Sequence, residues 1–348
     1  MFGSGKAGKP PKQVSLTPDV MATLAGIAPQ AAQSAEGALH PRIIPLGPDS
    51  VLARTHWGFY LAVPMWNVDV VPGIVRDSII ERHTTAVARA LAKPGMKVVN
   101  AGANFGYYSM LYASIVGASG SVFSIEANAN IIPFLMRSIY WAGYPNVVRL
   151  FHTAVSDRSG DTIEIMFDPQ FIGGGAVASG ISMPKKSLAD CLWEVNDLSP
   201  QFDANREWKL AGFMSMAPVE TRTIDDICAD AAKIDVIHMD IEGSEVRAIR
   251  GAMKTLARSP DIAMIVEWSP YYNGLPENRS AAAEVMGALF AQGFKYYFID
   301  HARSDDATGL PMLKPIADME QLFNTPHSDV LIVRDVARAT APNNFIIG

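Results

Sequence analysis

The chain has 348 residues, with 29 Lys and Arg against 35 Asp and Glu for a formal charge of -6, and it is 49% hydrophobic and 18% charged. That composition belongs to a folded globular chain long enough for one elaborated α/β domain or two ordinary ones. Its mild acidity, with no long basic run, argues against nucleic acid as a partner. Cys191 and Cys228 are its two cysteines, which excludes a four-thiolate zinc site, implies no disulfide framework and suits a reducing, cytoplasmic setting.

Residues 1–40 are rich in Ala, Gly, Pro and Gln, with a short helical stretch near Pro18–Ala28, and read as a mobile arm. No apolar run follows the basic opening, so it is not read as a secretory signal. The apolar stretch 58–75 is broken by Asn67, Asp69 and two prolines, and no window supplies the roughly 20 apolar residues of a membrane span. Residues 41–95 form an N-terminal segment of short apolar runs ending in a helix over Thr84–Lys93, which Pro94 stops. This segment is expected to contribute to an acceptor pocket.

From Met96 onward, in a domain over 96–348, strand and helix signals alternate, which points to parallel strands joined by helical crossovers. Strands are expected at Lys97–Ala101, Ser121–Ile125, Val147–Val155, Ile234–Met239, Ile262–Val266, Lys295–Ile299 and Asp329–Val333. Helices are expected at Tyr107–Val116, after a cap at Asn128, over Val246 to Leu256, and near Ala281–Gln292. Asp161–Phe167 and Val219–Thr223 read as further strands. An insertion at 168–218 interrupts the alternation, and its Phe171, Trp193, Phe202, Trp208 and Phe213 favour a packed lid over a disordered loop.

Two stretches carry chemistry. In Val98-Val99-Asn100-Ala101-Gly102-Ala103-Asn104-Phe105-Gly106, glycines stand where a strand turns tightly into a helix and a ligand can approach bare backbone. Glu126 ends the next strand, where a carboxylate can accept both hydroxyls of an adenosine ribose. Asn100 replaces the first glycine of a dinucleotide fingerprint, which disfavours a nicotinamide-dependent oxidoreductase. In the second stretch, His238, Asp240 and Glu242 share one face if the chain stays extended, and Glu267 ends the neighbouring strand. Asp240 is the expected base or substrate anchor, assisted by Glu242 or Glu267, whereas His238 reads as structural and Asp225-Asp226 as helix capping. Such hard oxygen ligands would suit magnesium, yet the sequence has no dedicated ligand spacing and no metal ligand is assigned. Arg82 and His83 ahead of the first nucleotide strand, with Trp268, Tyr271 and Tyr272 after Glu267, are the expected substrate-binding residues.

The stretches VVNAGANFGYYS at 98–109, SVFSIEANANIIPFL at 121–135, NVVRLFHTAVSDRSG at 146–160, VETRTIDDI at 219–227 and IDVIHMDIEGSEVRAIRGA at 234–252, with IVEWSP at 265–270, resemble the FkbM family of S-adenosylmethionine-dependent methyltransferases. The resemblance covers about 95–270 and leaves the insertion unmatched. It implies a class I methyltransferase Rossmann-like α/β fold: a seven-stranded, mostly parallel sheet with helices on both faces, here with an inserted lid and an N-terminal extension. It implies methyl transfer from S-adenosylmethionine to a hydroxyl of a sugar, glycan or polyketide-type natural product. By the same resemblance Gly102, Ala103, Asn104 and Gly106 would line the methionine part of the cofactor, Glu126 the ribose, and Ala154 to Asp157 the adenine edge, with Asn100 binding the cofactor at its ammonium. The family usually has Asp where this chain has Asn100. Loss of that charge would weaken cofactor binding and raises the alternative of a non-catalytic relative kept as a binding protein.

Overall fold

The computed structural model describes residues 42–67, 70–167, 176–177, 215–301, 312–339 and 346–347. The chain divides into Met1–Arg42 and Ile43–Gly348. The arm at 1–40, most of the 168–218 insertion with its five aromatic residues, and Cys191 lie outside the described residues.

Short apolar runs at the start of the second unit form an antiparallel meander, β1 (Ile43–Pro45), β2 (Ser50–Arg54) and β3 (Tyr60–Pro64), with Ile43 opposite Ala53 and Ser50 opposite Pro64. Helix α1 (Val70–Asp77) follows, hidden in the sequence by Pro72 and Gly73 inside it. Asn67 starts this helix, its Oδ1 accepting the N–H groups of Val70 and Val71 at 3.1 and 3.0 Å. Helix α2 spans Arg82–Leu91, two residues ahead of the expected helix.

The alternating part gives β4 (Lys97–Ala101), α3 (Tyr107–Val116), β5 (Ser121–Glu126), α4 (Ile132–Ala142) and β6 (Val148–His152). The expected strand over Val147–Val155 is two strands, because β7 (Ala154–Val155) leaves the main sheet. It joins β8 (Thr162–Phe167), β9 (Ala176–Val177) and β10 (Ser215–Arg222) in a four-stranded sheet ordered β7-β10-β8-β9. Then come α5 (Ile224–Ile227), β11 (Val236–Met239), α6 (Glu245–Arg250), α7 (Met253–Ala257) and β12 (Ala263–Trp268). Last are α8 (Pro270–Gly274), α9 (Pro276–Ala291), β13 (Lys295–Asp300), β14 (Met312–Ile316), α10 (Met319–Phe323), β15 (Ser328–Val333) and β16 (Ile346–Ile347).

The main sheet runs β16-β14-β13-β15-β12-β11-β4-β5-β6. From β6 to β12 all neighbours are parallel, and β15 enters antiparallel between β12 and β13. These seven strands are the class I methyltransferase Rossmann-like arrangement, and β14 and β16 extend it to nine at one edge. Period-2 alternation sends Val98 to a core shared with α2, α3 and α4, and Val99 to a second core shared with α6, α7 and α9, so helices cover both faces.

Two expected helix features differ. Asn128 does not cap α4: its Oδ1 accepts the Asn130 N–H at 3.0 Å, and the helix begins at Ile132 with Pro133 in its first turn. The single helix expected over Val246 to Leu256 is broken at Gly251, where a Cβ would stand 2.1 Å from the carbonyl oxygen of Ser156. Asp225 does cap a helix, though a distant one, accepting the N–H groups of Lys254 and Thr255 at 3.1 and 2.6 Å, while Thr223 caps α5 itself.

The Gly251 contact yields a paired expectation. Gly251→Ala forces backbone apart and lowers unfolding stability by at least about 2 kcal/mol. Gly287→Ala, inside α9 with nothing within 4 Å of where a Cβ would stand, raises it by about 0.5–1 kcal/mol. Urea denaturation of both variants measures the contrast.

Candidate functional site

The parallel strands β4, β5, β11 and β12 all end at one edge, and that edge opens on a cavity of about 310 Å³. The turn after β4 makes one wall. Gly102, Asn104 and Gly106 all take the left-handed conformation, at φ of 80°, 49° and 94°. The N–H groups of Gly102 and Ala103 donate to the Ile125 carbonyl at 3.0 and 2.9 Å, and Asn104 closes the turn by accepting the Phe105 N–H on its own Oδ1 at 2.7 Å. A Cβ on Gly102 would lie 1.8 Å from the carbonyl oxygen of Asp240, so the turn rests directly on the acidic loop after β11.

Glu126 is buried and faces this cavity. Its two oxygens accept the N–H groups of Asn104 at 2.8 Å and Asn128 at 2.7 Å. Burial raises its carboxyl, and backbone donors from Asn128, Asn104 and Ala127 oppose the rise. Beside it, Asn128, which also lines the cavity, has a buried side-chain Nδ2 with no hydrogen-bond partner.

The acidic loop is tied from below by Glu245, which is 1% exposed. Its Oε1 accepts the N–H groups of Ile241 and Gly243 at 3.1 and 3.2 Å, holding Glu242 at φ 52° and Gly243 at φ 90°. Asp240, Glu242 and Glu267 each offer an oxygen, all within 4.8 Å of one another, the one such trio among the described residues. Burial and the neighbouring charges of Glu267, Glu81 and Glu242 drive the Asp240 carboxyl well above the usual range, and it hydrogen-bonds Glu267. Like charges this close do not all ionise, so Asp240 carries the proton. Glu267 also meets the His327 ring at 2.8 Å, and that bond raises the imidazole.

Eight of the expected site residues line the cavity: Gly102, Ala103, Asn104, Glu126, Ala154, Asp240, Glu242 and Glu267. The others stand elsewhere. Asn100 is buried behind the turn, its amide donating to Ser109 Oγ at 2.8 Å, which in turn meets Ser124 Oγ at 2.8 Å. Its place is a tie between β4, α3 and β5, away from the cavity lining. Gly106 packs toward Leu135, and Asp157 faces Arg250 at 3.8 Å. Trp268 is fully buried, donates to the Leu322 carbonyl at 3.0 Å and packs on Phe323, which leaves no face for an acceptor. Tyr272 packs on Gly243, and Tyr271 is exposed beside it. Arg82 is exposed on α2, and His83 is buried against the His301 ring. His238 is a core residue, its Nδ1 meeting Tyr112 Oη at 3.0 Å, and burial pushes its imidazole down to about 4.

Sequence reasoning missed the opposite wall: Val70 and Ile74 of α1, Ile80, Glu81, and Tyr108 of α3. The Tyr108 hydroxyl donates to Glu81 Oε2 at 2.7 Å. The one available signal was the pair Tyr107-Tyr108 in the first turn after the glycine turn, where a side chain must face the cavity.

Comparison with known proteins adds the following. Residues 100–296 match the family model for the methyltransferase FkbM domain. The 2-O-methyltransferase NoeI of Sinorhizobium fredii (strain NBRC 101917 / NGR234) is 32% identical over 118 residues, an alignment covering 32% of this chain and 40% of the relative. The chain therefore spans about 40% of the length of that curated relative. Among solved structures, a proposed rRNA methylase from Clostridium thermocellum shares 12% identity at a TM-score of 0.38, over 73% of this chain and 97% of that one. The Bacillus cereus O-methyltransferase in complex with SAH shares 10% identity at a TM-score of 0.35, over 77% of this chain and 82% of that one.

Burial also pushes the Glu245 carboxyl up to about 7, with the Glu267 charge adding to it. An acid raised in the folded state stabilises fully below its unfolded value of 4.5 and loses that contribution as pH climbs to about 7. Glu245→Gln keeps an acceptor for the loop and cannot ionise. The variant should gain on the wild type by up to about 3 kcal/mol between pH 4.5 and 7.5, read from thermal unfolding across that range.

Proposed function

Because the chain belongs to the FkbM methyltransferase domain family, whose model matches more than half of it, we propose that it is an S-adenosylmethionine-dependent O-methyltransferase acting on a hydroxyl of a small, uncharged acceptor, a sugar or glycan unit or a polyketide-type natural product. The observation that carries the reading is Glu126 at the end of β5, with the unpartnered Asn128 amide beside it and the left-handed Gly102–Gly106 turn above. A ribose needs an acceptor for two hydroxyls, an adenine needs donors and a flat apolar slot, and the donor set matches. Glu126 retains free lone pairs after its two backbone bonds, Asn128 supplies the donor, and Ala103, Phe105, Ile131 and Val155 supply apolar surface. When bound, the cofactor supplies a methyl group on a positively charged sulfur.

The charge of the cavity bears on the acceptor. Glu81, Glu126, Asp240, Glu242 and Glu267 line it, and no Lys, Arg or His does among the described residues. An anionic acceptor would be repelled, so a neutral hydroxyl compound suits the wall better than a nucleic acid phosphate. Protonated Asp240 is a donor and Glu267 an acceptor, a pair able to orient a hydroxyl whose oxygen must line up with the methyl carbon. The name of the NoeI relative, a 2-O-methyltransferase, points to an oxygen acceptor for that protein and supports the same chemistry here. Asn100, engaged by Ser109, gives no ground for reading the chain as a degenerate binding protein.

Calorimetry with S-adenosylmethionine tests the reading. The wild type should bind it, and Glu126→Gln, which removes a charged acceptor, should weaken binding by about 10- to 100-fold. Thermal unfolding of the same samples separates this from loss of fold. A wild type that binds neither the methyl donor nor its demethylated product ends the proposal.

A further inference from the structure

The acids at the strand edge are poorly placed to take a proton. Asp240 already holds one, in its hydrogen bond with Glu267, and Glu267 is also engaged by His327. Glu81 differs from both. It lies ahead of the matched family domain, as the residue before α2, and its backbone takes the left-handed conformation at φ 41° and ψ 66°, which a non-glycine residue rarely adopts. That turn of the backbone brings its carboxylate into the same cavity as Asp240 and Glu267, where it is exposed to whatever enters. Tyr108, projecting from α3 immediately past the glycine turn, donates its hydroxyl to Glu81 Oε2 at 2.7 Å and fixes the carboxylate on the cavity side.

We propose that Glu81 is a catalytic residue of this site, the group that receives the acceptor hydroxyl's proton, with Tyr108 positioning its carboxylate. The inference rests on the methyltransferase reading. In the step it describes, the acceptor oxygen bonds to the methyl carbon as the carbon–sulfur bond breaks. The electron pair of that bond goes to sulfur, which becomes an uncharged thioether, and the acceptor's proton passes to a Glu81 oxygen. Since Glu81 is exposed at the cavity, the proton then leaves to water.

The surroundings suit this role. Facing Glu81 are Tyr108 of α3, Asp329 of β15, Glu267 of β12, Asp240 after β11 and His301 after β13. His301 lies 3.6 Å from Asp329, which also accepts the Thr84 hydroxyl, so the one imidazole beside Glu81 is shared with a second carboxylate. Crowding by protein atoms and the negative charges of Asp329 and Glu267 raise the Glu81 carboxyl to about 7, against the pull of the Tyr108 bond and His301. A base poised there is ionised often enough to act and basic enough to hold the proton it takes.

The test uses the full chain, wild type and Glu81→Gln, with S-adenosylmethionine and two probe acceptors, methyl α-D-glucopyranoside and catechol. Demethylated cofactor is followed across pH 5.5–9, with calorimetry of cofactor binding alongside. The expected result is cofactor affinity within about twofold of the wild type and turnover about 100-fold lower. The wild-type rate should rise with pH through about 7, a limb missing from Glu81→Gln and shifted upward in Tyr108→Phe, which loses the bond that favours the carboxylate. Infrared titration of the carboxyl groups needs no acceptor: of the two expected to titrate near pH 7, Glu81→Gln should lose one and keep the other, which Glu245→Gln removes. Turnover of Glu81→Gln within about threefold of the wild type, or a Glu81 carboxyl titrating in the ordinary range near 4.5, overturns the inference while leaving the methyltransferase reading intact. No cofactor binding by the wild type overturns both.

Discussion

Where β4 turns toward α3, the Cα of Gly102 sits so close to the acidic loop that an added Cβ would lie 1.8 Å from the Asp240 carbonyl oxygen. The Asp240 N–H meanwhile donates to the Ala101 carbonyl at 3.1 Å. The glycine turn and the acidic loop are therefore one unit, pinned by backbone on both sides. Any larger residue at position 102 would separate the wall fit for a nucleotide from the carboxylates that face an acceptor. The left-handed φ of Gly102, and of Asn104 two residues on, follows from the same demand, since the chain must reverse over that carbonyl before α3 begins.

Around this contact the molecule gathers five carboxylates with no facing cation in the cavity lining among the described residues. The arrangement holds because each acid is handled differently. Glu126 is surrounded by backbone N–H groups, and Glu245 below the loop by two more. Asp240 is protonated against Glu267, which His327 approaches from outside the cavity lining. Such a set has unequal acids by construction: Asp240 is driven well above the usual carboxyl range, while Glu81 rises only to about 7.

The parts readable from sequence were those fixed by local pattern. Alternation locates the core strands, and the spacing from Gly102 to Glu126 locates one wall of the cavity, because tight turns and strand-end acids are set by neighbours in the chain. Asn100 shows the limit. Its residue type was plain, yet its consequence depended on Ser109 and Ser124, brought beside it by α3 and β5. Trp268 is among the expected substrate-binding residues because it follows a strand-end acid, but α10 covers it with Leu322 and Phe323. Glu81 carried no local signal at all, for its role comes from a left-handed φ and from an approach to Tyr108 across 27 residues.

That last contact also explains why the segment ahead of β4 belongs to the site. The meander is fastened to α4 through the Ala62 N–H, which donates to Ser138 Oγ at 2.9 Å. Thr85 of α2 sits between the Ile80 carbonyl at 2.6 Å and the Tyr107 hydroxyl at 3.2 Å. Tyr107 and Tyr108 are successive residues of α3, one locking the N-terminal segment and the other holding Glu81. The helix that begins at the glycine turn thus fixes both walls of the cavity. Residues 100–296 alone would keep the nucleotide wall and the acidic loop but lose Val70, Ile74, Ile80 and Glu81. Four residues of the cavity lining accordingly come from outside the domain that defines the family.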